Sequence, residues 1–100
     1  MKEALVFDEE AGRIIVPSQT LAAIVSAAAE QAGARVRRYP RRSVSIDLSD
    51  EGRIEVGVVA PADAVLPVLA ESVQRSIHQA LSLMCELGHL SVDVAVEEID

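Results

Sequence analysis

Apolar residues recur along this chain with two periods, and the switches between them predict the order of its elements. Ala4 to Phe7 reads as a short strand, closed by the turn-like run Asp8-Glu9-Glu10-Ala11-Gly12. Arg13-Ile14-Ile15-Val16 is β-branched and reads as a second strand. Pro17-Ser18 opens a helix, with Ser18 placed to cap it. From there Leu21, Ile24, Val25, Ala28 and Ala32 recur at helical spacing, and Gly33 is placed to end the run. Ala23, Ser26, Ala27 and Glu30 fall on the opposite face. An arginine-rich stretch around Tyr39-Pro40 follows, extended as an arm or an edge strand. Ser43 to Leu48 alternates polar and apolar, Ser49-Asp50-Glu51-Gly52 is a hairpin-type turn, and Arg53 to Val59 returns as the partner strand. After a linker over 60–65, Pro67 in a first turn starts a helix reaching to about Leu87. Its stripe is Leu69, Ala70, Val73, Ile77, Ala80, Leu81, Met84 and Leu87, and Gly88 stops it. Leu90 to Glu97 alternates again as a final strand.

The predicted order is therefore β-α-β-β-α-β, with Ala4 to Phe7 as a further strand in front. The economical architecture is an α+β two-layer sandwich, a mainly antiparallel sheet with two helices on one face. At 100 residues the chain makes one domain. Half of it is hydrophobic, but Phe7 and Tyr39 are the only aromatics. That changes the functional picture, because RNA-recognition domains share this element order and stack bases on aromatics of their central strands. Arg53 to Val59 carries none, so nucleic acid is not the expected partner. No stretch approaches the roughly 20 apolar residues of a membrane span, and the start lacks the apolar region of a signal peptide. Cys85 is the only cysteine. It excludes a disulfide within the chain and a thiolate zinc cluster, and a reducing cytoplasm is the natural compartment.

Charge is distributed unevenly. The net charge is −7, yet Arg35, Arg37, Arg38, Arg41 and Arg42 fall within eight positions. That window carries +5, so the other 92 residues carry −12. Two readings stand for these arginines. In one they form a solvated loop that offsets acids elsewhere in the same molecule. In the other they form an interaction surface, because guanidinium forks suit carboxylates and phosphates. The nearest abundant carboxylates belong to a second copy of the chain. A basic patch meeting an acidic one is a heterologous contact, which repeats into rings or filaments. A different class of function, a small-molecule regulatory module, would use the same element order and grip an anionic metabolite through residues 35–42.

Catalytic residue types cluster only at His78, Cys85 and His89. Two helical turns separate His78 from Cys85 by about 10 Å, too far to share a metal or a proton. The acid pairs Glu9-Glu10 and Glu97-Glu98 sit in a turn and at a terminus, where solvent keeps them ionised. No phosphate loop, HExxH, GxSxG or EF-hand pattern is present. The expectation is a non-enzymatic protein with no cofactor and no metal.

Several stretches together resemble a known family. Gly12-Arg13-Ile14-Ile15-Val16-Pro17 leading into an Ala-rich helix is similar to the opening of the alkaline shock proteins, the general-stress or envelope stress response family of Gram-positive bacteria. Val44-Ser45-Ile46-Asp47-Leu48 and Leu66-Pro67-Val68-Leu69-Ala70-Glu71-Ser72-Val73-Gln74 resemble it too. So does the close, Ala80-Leu81 and Met84 followed by Leu90-Ser91-Val92-Asp93-Val94-Ala95-Val96. The resemblance covers roughly residues 12 to 99 and consists mostly of hydrophobic pattern. The chain departs from the family at Gln31-Ala32-Gly33-Ala34, where a Val-Glu-Gly-Val run is common. It departs also at Glu86-Leu87-Gly88-His89-Leu90 and in the plain strand Arg53 to Val59. The resemblance implies a non-enzymatic cytoplasmic protein that associates with itself or with relatives. It also implies recruitment to the membrane by an anchored partner, without insertion of its own, and a role in envelope maintenance under stress. No family catalytic residues exist to carry over.

Overall fold

Eight elements follow one another in the computed structural model, which describes residues 4–38, 42–48, 52–85 and 90–100. They are β1 (Ala4–Glu9), β2 (Gly12–Pro17), α1 (Ser18–Gln31), β3 (Arg35–Val36), β4 (Val44–Asp47), β5 (Arg53–Ala60), α2 (Leu66–Cys85) and β6 (Ser91–Ile99). The architecture is α+β, with both helices against one face of a sheet. Strand β5 is its centre. β3 and β4 lie end to end along one side of β5, both antiparallel to it, and β6 lies along the other side. β6 runs parallel to β5, the one departure from an antiparallel sheet. A parallel neighbour needs a long crossover, and the 20 residues of α2 supply it.

The core forms where these layers meet. Ile54, Val56, Val58 and Ala60 of β5 point inward with Val36 and Val92, against Leu21, Val25, Ala28 and Ala29 of α1 and Leu69, Val73, Ile77 and Leu81 of α2. The helices run antiparallel: the Ser76 hydroxyl donates to the Ala28 carbonyl at 2.7 Å, and the Leu69 side chain lies beside Gly33. This double contact widens the buried stripe of α1 beyond its helical-period face. Ser26, expected on the outer side, is buried, and its hydroxyl donates to the Ala22 carbonyl at 2.9 Å. The start of α1 also differs from expectation. Pro17 occupies the cap position and no side chain caps the helix, so Ser18 is already inside it. Met84 shares the α2 stripe but lies past the layer that Leu81 closes, and it is 67% exposed. Leu87, Gly88 and the turn at 49–51 lie outside the described residues.

Gly33 ends α1 for a definable reason. Its φ of 102° is left-handed, Gly33 N–H donates to the Glu30 carbonyl, and Ala34 N–H donates to the Ala29 carbonyl. Those two bonds make a Schellman close, with buried Ala29 and Ala34 supplying its apolar contact. Gly33→Ala should therefore lower stability by about 1 kcal/mol, read as a lower urea midpoint with an unchanged slope.

The N-terminal strands depart most from expectation. β1 and β2 form a two-stranded hairpin of their own, with no ladder to the main sheet among the described residues. It meets the body chiefly where β2 runs into α1. Val6 and Ile15 stand opposite one another in its register and are 47% and 57% exposed. No helix among the described residues is long and apolar enough to cross a membrane.

Candidate interaction surface

The arginine segment lies along one edge of the sheet. β3 pairs Arg35 and Val36 with Val59 and Val58. Three bonds carry the edge from β3 to β4: Arg37 N–H donates to the Gly57 carbonyl, Ser43 N–H to the Arg37 carbonyl, and Gly57 N–H to the Ser43 carbonyl. Arg37 and Ser43 thus meet at one point of the edge, opposite Gly57. Arg41 lies outside the described residues.

Three of the arginines meet carboxylates of their own chain. Arg37 Nε sits 2.6 Å from Glu97 Oε1, Arg35 Nη2 2.8 Å from Asp100 Oδ2, and Arg38 Nη2 3.2 Å from Glu30 Oε2. Two of these acids come from β6 or the residue after it, on the far side of the sheet from β3. Arg53 Nε adds a looser pair to Asp93 Oδ2 at 3.6 Å. Arg42 is exposed, and among the described residues it has no ion pair.

The pairs are not equivalent. Arg35 and Arg38 are 63% and 61% exposed at the side chain, where ion pairs contribute roughly 0–1 kcal/mol and exchange readily with solvent or another partner. Arg37 and Glu97 are 28% and 35% exposed. Glu97 also accepts a hydrogen bond from the Ser43 hydroxyl at 3.2 Å. It reaches across the central strand because Gly57 has no side chain: a Cβ there would run into the Glu97 carboxylate and the Ser43 hydroxyl. A register shift between Val58 and Val59, where Val96 and Glu98 are their partners, leaves Glu97 as the extra residue of a β-bulge and lets it turn onto the sheet. Arg37, Glu97, Ser43 and Gly57 therefore act as one staple joining the two edges.

Its test is a double-mutant cycle. Glu97→Gln should cost about 1–2 kcal/mol in the wild-type background, and close to nothing after Gly57→Ala has displaced the carboxylate. Additive costs in chemical denaturation would dismiss the staple.

Below the staple, a groove of about 680 Å³ opens on the helix-free face of the sheet. Arg42, Ser43 and Ser45 line one side, Glu55 and Gly57 the floor, and Asp93 the other side. Compared with protein-family models, with curated proteins and with solved structures, the chain matches none. The surface is therefore read from its own chemistry. Opposite charges share the groove, so it offers no uniformly positive cradle.

The residues with catalytic chemistry are not brought together by what is described. His78 is half-buried, and its Nε2 lies 3.0 Å from the Leu90 carbonyl oxygen. One turn earlier, Gln74 Nε2 donates to the Val92 carbonyl at 2.9 Å. Both side chains reach from α2 to carbonyls of the β6 segment, so His78 serves the sheet edge. The Cys85 side chain and His89 lie outside what the structure describes. Among the described residues, no three His, Cys, Asp or Glu side chains are placed to hold a metal. Sequence reasoning missed Glu97, Ser43 and Gly57. The available signal was Gly57 itself, a glycine inside a β-branched strand, which marks a close approach.

Proposed function

We propose that this protein is a non-enzymatic interaction protein of cell-envelope stress response and homeostasis. It associates with itself through the arginine-bearing sheet edge, and an anchored partner recruits it to the membrane. The observation that supports the reading is how the edge is held: Arg35 and Arg38 sit in exposed, exchangeable ion pairs, and Arg42 has none among the described residues. An acidic surface approaching along this edge can take over those guanidinium groups at little cost. An anionic small molecule bound beside Arg42 would meet Glu55, Asp93 and Glu97 in the same groove, which favours a macromolecular partner over a metabolite. The envelope role and the anchored partner rest on the family resemblance.

Recruitment is tested by isolating the tagged protein from its native cells. It should sediment with membranes, and detergent should release it together with one integral membrane protein. Recovery solely in the soluble fraction, with no membrane protein attached, would end the recruitment part of the proposal.

A further inference from the structure

The β1–β2 hairpin is the least explained part of the molecule. Two strands alone are marginal in water, and this pair has no third strand among the described residues and keeps Val6 and Ile15 in solvent. Its turn end is acidic, with Asp8 of β1 and Glu10 of the turn exposed, and Asp8 is only loosely paired with Arg13 at 3.4 Å. Such an element is suited to strand addition on a sheet edge that is both open and basic.

The main sheet has two edges, and they differ. On the β6 edge, His78 and Gln74 occupy the Leu90 and Val92 carbonyls, the bulge at Glu97 breaks the line, and the exposed Glu98 would repel an acidic turn. On the β4 edge the ladder bond between Gly57 and Ser43 fixes the alternation. Residues 45 and 47 bond to β5, and Val44 and Ile46 turn their N–H and C=O groups outward. The side chains of Val44 and Ile46 are half-buried, as expected at an edge that lacks a neighbour. Arg42 leads directly into this strand, and Arg38 follows Arg37, whose carbonyl accepts from Ser43 N–H.

We infer that the β1–β2 hairpin of one copy adds to the β4 edge of a second copy, its acidic turn meeting Arg38 and Arg42. The inference rests on the self-association proposed above and names the two surfaces that meet. The hairpin brings strand edges that pair with nothing else among the described residues, and the exposed Val6 and Ile15 side chains. The β4 edge brings two outward-facing residues and, just before them, the Arg42 guanidinium, which has no ion pair among the described residues. Whether the contact is reciprocal within a pair or repeats along a chain, each copy offers one hairpin and one edge.

Complementing variants test it by sedimentation velocity across a concentration series. Val6→Asp with Ile15→Asp removes the exposed aliphatics of the hairpin. Ile46→Pro removes one outward N–H and leaves the bonds of residues 45 and 47 to β5 in place. Each variant alone should associate at least about tenfold more weakly than the wild type. Mixed together they should form a heterodimer, because one supplies an intact edge and the other an intact hairpin. A second measurement does not depend on proline being tolerated. With Cys85→Ser in both chains, Glu10→Cys and Arg42→Cys copies are mixed and oxidised, and the mixed disulfide should dominate over either homodimer. Wild-type protein that stays monomeric at every concentration would overturn the self-association reading, and this inference with it. Wild-type association that survives both variants, or cross-linking dominated by homodimers, would overturn the hairpin-to-edge contact alone.

Discussion

Replacing Ile77 by alanine should lower the unfolding free energy by about 3–4 kcal/mol, while Leu83→Ala should change it by less than about 0.5 kcal/mol. Both are long aliphatic residues of α2, six positions apart, and hydrophobicity does not distinguish them. The fold does. Ile77 is fully buried between α2 and the sheet, in the row formed with Val73 and Leu81. Truncating it leaves a cavity among β-branched neighbours that have few rotamers with which to fill it. Leu83 is 86% exposed. For a domain of this size the Ile77 variant should melt roughly 12–25 °C lower. Calorimetry on the two proteins reads both values, and equal shifts would mean that α2 does not lie on the sheet with this face.

The central layers were legible in the sequence because they rest on local signals. Alternation over Ser43 to Leu48 and over Leu90 to Glu97, the 3.6-residue stripe of α2 and the glycine after α1 each fix an element by themselves. What lay beyond those signals depended on pairing. A strand's pattern does not record which neighbour it takes, so β6 running parallel to β5 had to be seen in the registers. The hairpin is a sharper case. Residues 13–16 read as a strand and are one, but the β-branched pattern says nothing about whether that strand joins the main sheet.

The arginines show the same limit in electrostatics. Their density between 35 and 42 was plain, but the acids they meet lie 65, 60 and 8 residues away in the sequence. Only the fold brings Glu97 over Gly57 and Asp100 beside Arg35. Once placed, the four described arginines separate into different roles. Arg37 belongs to the staple, and Arg35 and Arg38 are held loosely at the surface. Arg42 is uncommitted among the described residues, and Arg41 lies outside them. A substitution at Arg37 would therefore confound association with stability, which makes Arg38 and Arg42 the informative positions.

Reversing both charges, Arg38→Glu with Arg42→Glu, should weaken self-association at least about tenfold, because an attractive contact becomes a repulsive one. Both side chains are largely exposed, and the Arg37–Glu97 staple is untouched. The unfolding free energy should thus stay within roughly 1 kcal/mol of the wild type. The separation between the two readouts matters, since a loss of association accompanied by unfolding would say nothing about the edge. Raised salt should act on the wild type in the same direction, by screening the charges across the contact.

The most direct measurement is sedimentation velocity on the wild type and this double variant over the same concentration series, at low salt and at high salt. The wild type should shift from monomer to larger species with concentration, less so at high salt, and the variant should remain a monomer throughout. A wild type that is monomeric under every condition, or a variant that associates as readily as the wild type, would contradict self-association through the arginine edge.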